Sequence, residues 1–128
     1  MAGMIALDAG AVIAAWDATD AHHESARMLF LSHARSVIHP VTLGEALVQA
    51  VRRDREAWAR DEIAALGIRQ LTLADDHPFE LARARASTSL RMPDVCALVA
   101  AEARGLPLAT FDRRLAEVAR SRGITVLP

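Results

Sequence analysis

Four acidic residues, Asp8, Glu45, Asp94 and Asp112, occupy settings in which a carboxylate is either structural or chemical. Asp8 follows the apolar stretch Met4–Leu7, where a buried charge is costly. Asp112 comes just after Pro107–Thr110, Asp94 directly after Pro93, and Glu45 borders an apolar face beside Val41 and Val48. Taken singly, each has a structural reading. Asp8 and Asp112 fit helix N-caps, Asp94 fits the positive end of a helix, and Glu45 fits a capping box with Thr42. Taken together they imply something else. At separations of ~5 Å and an effective dielectric of ~20, each ionised pair repels by about 3 kcal/mol. An exposed arginine returns only ~0–1 kcal/mol per pair. Convergence therefore requires protonation or a divalent cation. Oxygen donors without cysteine or paired histidine suit Mg²⁺ or Mn²⁺ better than Zn²⁺. Such a cation activates water for in-line attack on a phosphate.

The elements that must position these groups alternate along the chain. Met4–Leu7 reads as a buried strand and Ala9–Trp16 as a short apolar helix. A helix is expected from Asp20 to about Ala34, then a strand over Ser36–His39 closed by Pro40. Thr42 is expected to cap a helix through about Arg53, and Arg55–Leu66 to form another ended by Gly67. Ile68–Leu73 alternates as a strand, Phe79–Ser87 reads as a helix, and Pro93 opens a helix running to Gly105. Pro107–Thr110 is a fourth strand, Asp112–Arg122 a helix ended by Gly123, and Ile124–Leu127 a last strand. Strand–helix alternation without hairpin turns predicts an α/β fold of one domain over residues 1–128, with a parallel sheet of about five strands and helices on both faces. Ligands of such sheets sit at the carboxyl ends of the strands. With every strand parallel, all four carboxylates lie near that side.

Composition narrows the chemistry further. The chain has 128 residues, an apolar fraction of 52% and a net charge of −1, so a core is available and no global positive field is. All 15 basic residues are arginine, which excludes Schiff-base and P-loop lysines. Cys96 is the only cysteine, so an intramolecular disulfide is impossible and a reducing compartment is expected. No basic lead-in resembles a secretory signal and no apolar run approaches the ~20 residues of a membrane span. The expected location is the cytoplasm, with no membrane association.

The segments Leu7-Asp8-Ala9-Gly10, Thr42-Leu43-Gly44-Glu45-Ala46-Leu47, Leu90-Arg91-Met92-Pro93-Asp94 and Ala109-Thr110-Phe111-Asp112-Arg113-Arg114-Leu115 resemble the ordered acidic motifs of PIN-domain nucleases. In length and layout the chain most resembles the VapC toxins of bacterial toxin–antitoxin pairs, over essentially its whole length. The resemblance implies a PIN-like three-layer fold and Mg²⁺- or Mn²⁺-dependent RNA cleavage. It also implies a homodimer and inhibition by a VapB-like antitoxin. Asp8, Glu45, Asp94 and Asp112 carry over as the catalytic and metal-binding quartet, and Thr110 as the hydroxyl beside the last aspartate. Two departures stand out: Gly10 replaces a Ser or Thr common after the first aspartate, and Arg113 and Arg114 stand where some relatives have another acid. The competing reading is a PIN-like protein that has lost activity and serves as an RNA- or protein-binding module. An aspartate phosphatase is excluded by the lack of a second acid near Asp8 and of a lysine.

Other chemistry-bearing residues read mainly as structural. His22 and His23 are adjacent on a helix and face different directions. His33 and His39 are not required by this mechanism, and Cys96 fits a small buried hydrophobe. Arg113 and Arg114 are candidates for contacting RNA, and Arg52, Arg53 and Arg55 form the densest basic cluster. Trp16 and Trp58 read first as core packing and second as a partner groove. No spaced aromatic stacking platform is evident, which argues against a single-strand-binding module. The first two helices are more apolar than a small sheet can cover, so a partner is expected to cover part of them.

Overall fold

Apolar alternation along the strands decides the layers. In the computed structural model, which describes residues 3–128, β1 (Ile5–Leu7) sends Ile5 and Leu7 to one face and Ala6 to the other. β2 (Ser36–Ile38) and β4 (Leu108–Ala109) do the same, with Val37 and Leu108 joining Ala6 while Ile38 and Ala109 join Ile5 and Leu7. Two separate cores result, one on each side of the sheet, as a buried parallel sheet requires. The first is roofed by α1 (Ala9–Trp16), α2 (His23–Ser32), α3 (Pro40–Arg52) and α4 (Glu56–Ala65). The second lies under α5 (His77–Ala86), α6 (Met92–Arg104) and α7 (Arg113–Ser121). Every residue from Val95 to Ala101 is buried, so α6 forms the spine of that side.

With β3 (Ile68–Gln70) and β5 (Val126–Leu127), the strands pair in the order β3-β2-β1-β4-β5, all parallel. The chain winds outward from β1 through β2 to β3, then returns to the other side of β1 for β4 and β5. That reversal opens a crevice between the carboxyl ends of β1 and β4, the place where such sheets bind ligands.

Several expected boundaries shift for local reasons. Asp17 and Asp20 spend their side chains on the backbone of Thr19 and His22, forming turns that delay α2 to His23. α3 starts at Pro40, its N-cap being His39, whose Nδ1 accepts from the Val41 N–H at 3.0 Å. Thr42 is therefore inside the helix, fully buried, and the expected Thr42–Glu45 capping box does not form. Proline fits the first helical turn because its missing N–H would be unpaired there anyway. β3 stops at Gln70, although the Leu71 N–H still donates to the Ile38 carbonyl at 2.8 Å. α5 and α6 begin at His77 and Met92, slightly before the expected positions. α1 hides most of its apolar surface, whereas α2 leaves Met28 and Leu31 exposed, Leu31 at 73%.

Candidate active site

The reversal point holds a hydrogen-bonded chain of three residues. The Asp8 backbone N–H donates to the Ala109 carbonyl at 3.0 Å, fixing the end of β1 against β4. Asp8 then caps α1, with Oδ1 accepting from the Ala9 N–H at 2.9 Å. Its other oxygen, Oδ2, accepts from the Thr110 hydroxyl at 2.8 Å. Thr110 is buried, and the same oxygen that donates to Asp8 accepts from the Asp112 N–H at 3.1 Å. Asp112 in turn caps α7, its Oδ1 accepting from the Leu115 N–H at 3.0 Å. Asp8 and Asp112 thus do cap helices, and Thr110 ties the two caps together. Each cap occupies one carboxylate oxygen with a hydrogen bond; Asp112 keeps a second oxygen with no partner among the described residues.

Asp94, in the first turn of α6, and Glu45, on α3, complete an electrostatic group with this chain. Burial raises the Asp8 carboxyl above its ordinary range, and the charges of Asp94 and Asp112 raise it further, against the lowering effect of Thr110 and Ala9. Glu45 is raised first by desolvation, then by Asp8 and Asp94. Asp94 is raised by desolvation and by Asp112, with Arg91 and Arg114 pulling the other way. The four acids therefore sense one another's charge from four different elements. Among the described residues no three of them are already gathered as a metal cage.

The arginines beside the acids divide. Arg114 donates to the Ser89 hydroxyl, which anchors it near the start of α6. Arg113 is exposed and makes no side-chain hydrogen bond among the described residues. Arg91, which draws Asp94 down, is the helix N-cap residue of α6 and carried no signal in the sequence beyond its place in a motif.

The histidines take structural places, with one surprise. His23 Nδ1 lies 2.7 Å from the Ala14 carbonyl and His33 Nδ1 lies 2.8 Å from that of Gly3. His22 stacks on Phe111, ring centroids 4.3 Å apart and planes 5° from parallel, immediately beside Asp112. His39 and His77 form a buried pair, Nε2 to Nε2 at 2.8 Å. Because the Val41 N–H donates to His39 Nδ1, the His39 proton sits on Nε2 and is donated to His77. Cys96 is buried, with its thiol pushed up by desolvation and by Glu45.

Sequence separation concealed one further feature. Trp16 and Trp58 meet edge to face with centroids 5.3 Å apart, and the Arg55 guanidinium lies 4.3 Å over the Trp58 ring. They line a cleft of about 370 Å³ that Glu45 also borders. The aromatic surface absent from the linear sequence is assembled by the turn between α3 and α4.

Comparison with known proteins places this geometry. The model of the PIN domain family matches residues 5–121. No curated protein matches the chain. Among solved structures it is similar to VapC20 of Mycobacterium tuberculosis, described as a sarcin–ricin loop cleaving toxin, with a TM-score of 0.73 and 17% identity over 91% of this chain and 95% of that one. It is similar to a chain of a toxin–antitoxin complex from Klebsiella pneumoniae, with a TM-score of 0.72 and 18% identity over 91% and 92% of the two chains. A third likeness is to a chain of VapBC2 from Rickettsia felis, solved with a promoter DNA fragment, with a TM-score of 0.67 and 13% identity over 98% and 97%. At these identities the likeness is one of fold.

Proposed function

The chain belongs to the PIN domain family, and from that premise we propose that it is a Mg²⁺- or Mn²⁺-dependent endoribonuclease, the toxin of a type II toxin–antitoxin pair. The observation that carries the reading is the Asp8–Thr110–Asp112 chain at the reversal point of the sheet, coupled in charge to Asp94 and Glu45. Mutual repulsion with no lysine nearby is a cost that a bound cation removes. The donor set fits a hard cation. Mg²⁺ usually takes one or two carboxylates and fills its remaining positions with water and substrate phosphate, so a closed protein cage is not required. Asp8, Asp94 and Asp112 would hold it, with Glu45 at the edge.

Bound there, the cation supplies charge neutralisation and an acidified water for in-line displacement at phosphorus. The protein's own groups do the positioning. Thr110 fixes the orientation of the Asp8 carboxylate and the height of the Asp112 backbone. Burial of Asp8 excludes water from the side facing the core. Arg113 and the anchored Arg114 offer forks to neighbouring phosphates. The fold likeness to chains of toxin–antitoxin complexes supports a VapB-like protein partner, and the exposed apolar residues of α2 are available to it. Homodimerisation and a cytoplasmic site of action belong to the same proposal. Among the described residues no helix is long and apolar enough to cross a membrane.

Expression of the chain in bacteria, with and without Asp8→Asn, Asp112→Asn or Glu45→Gln, tests the reading. Growth arrest with RNA fragmentation in the wild type is expected. Both aspartate variants should abolish it and Glu45→Gln should weaken it strongly. Full arrest by a folded Asp8→Asn protein would remove the carboxylates from the mechanism.

A further inference from the structure

The cleft beside Glu45 has a composition that the cleavage chemistry leaves unused. Its walls include Trp16 and Trp58, the chain's only two tryptophans, with Gln49 between them and the carboxylate side. Arg53 and Arg55 stand at its edge. Asp54 holds a left-handed backbone, φ 56°, a conformation aspartate tolerates better than most side chains. The turn is closed by the Arg55 N–H donating to the Ala50 carbonyl at 2.8 Å, and it carries the Arg55 guanidinium onto Trp58. The indole N–H of Trp16 is shielded from solvent and has no acceptor among the described residues. At about 370 Å³ the cleft falls within the usual small-ligand range of about 300–1,000 Å³.

We propose that this cleft is a nucleobase subsite, which receives an unpaired base of the RNA next to the cleaved phosphodiester. Resting on the ribonuclease reading, it adds a residue-level account of how the substrate is held. Indole faces accept any base by stacking, and the Gln49 amide both donates and accepts along a base edge. Arg53 and Arg55 lie where the adjoining backbone would pass, and a planar guanidinium suits phosphate. Glu45 belongs to both the cleft and the acidic group, so a base seated here lies one side-chain length from the reacting centre. A hydrophobic peptide would gain from the indoles, but it would leave Arg53 and Arg55 without an anionic counterpart. Alternating aromatic and cationic surface favours a polyanion carrying flat rings.

Both tryptophans report from inside the cleft, so their emission is a direct readout that does not depend on turnover. The chain is titrated in chelator with a single-stranded hexaribonucleotide and, separately, with its abasic counterpart. Saturable quenching by the first and little by the second is expected. Trp58→Ala should weaken binding about tenfold, within the range seen for lost base stacking, while Trp58→Phe restores most of it. In the metal-loaded cleavage assay the Trp58→Ala loss should fall on KM and not on kcat. Equal quenching by the abasic strand, or wild-type affinity and KM in Trp58→Ala, overturns the subsite. A protein that cleaves RNA while its tryptophan emission ignores the hexamer loses this inference only, and the cleft then passes to a protein partner. A folded protein that neither binds nor cleaves RNA overturns the ribonuclease reading and this inference with it.

Discussion

Replacing Asp94 by Asn keeps the side chain's shape and removes one of the coupled charges, so its effect on stability has a definite sign. The folded Asp94 carboxyl is raised above its ordinary 3.8. A raised carboxyl stabilises the fold below the unfolded pKa, and that contribution is lost as pH rises through the folded value. Metal-free Asp94→Asn should therefore melt above the wild type at pH 7, with the gap closing toward pH 4 in paired thermal scans. His39 has the opposite sign. Burial, then the neighbouring His77, pushes its pKa down to about 4. Its neutral form is the one the fold accepts, since Nδ1 is committed to the Val41 N–H and Nε2 to His77. Stability is complete above the unfolded pKa of ~6.5 and falls as pH drops toward 4, by up to about 1.4 kcal/mol per unit. His39→Asn keeps an N-cap oxygen without the titration, so denaturant melts should show it gaining on the wild type only below pH 6.5. At this scale the acids were legible in sequence because each sits at an element boundary. The His39–His77 pair was not, because the two residues meet only once α3 and α5 are placed.

Two helix ends separate structural from chemical roles. Asp112 caps α7 and belongs to the acidic group, and substitution can divide the two. Asp112→Asn retains an oxygen for the Leu115 N–H and should lose RNA cleavage with little loss of stability. Asp112→Ala should lose cleavage and about 1 kcal/mol as well. Equal stability of the two variants in urea titrations would show that the cap contributes nothing. The end of α4 depends on Gly67, with φ 71°, where an added Cβ would collide with the Ala34 carbonyl oxygen. Gly67→Ala should cost at least the ~1–2 kcal/mol of a left-handed alanine, plus whatever separates β3 from the end of α2. Measured destabilisation below ~0.5 kcal/mol would mean that the turn simply rearranges. Periodicity and the Gly67 signal located α4 correctly from sequence. The start of α3 was misplaced because Pro40 read as the end of a strand, and a histidine N-cap has no strong sequence signature beside Thr42 and Glu45.

At the scale of the molecule, alternation of short apolar strands with helices was enough to read a parallel α/β sheet and to place the acids at the strand ends. Strand order was not readable in that way, and it is the order that sets Asp8 beside Thr110. The Trp16–Trp58 cleft likewise depends on α1 meeting α4 across the fold. A protein whose acids repel one another should be stabilised by the ion that relieves them. At a hundred times its dissociation constant, Mn²⁺ should add ~2.7 kcal/mol to the chelator-stripped protein. The most direct test of the central claim is cleavage of a long RNA by the purified chain. It compares chelator with Mn²⁺, and the wild type with Asp94→Asn shown by circular dichroism to be folded. Cleavage by the wild type only with Mn²⁺, and none by Asp94→Asn, is the predicted result. Undiminished cleavage in chelator, or at the wild-type rate by Asp94→Asn, would contradict it.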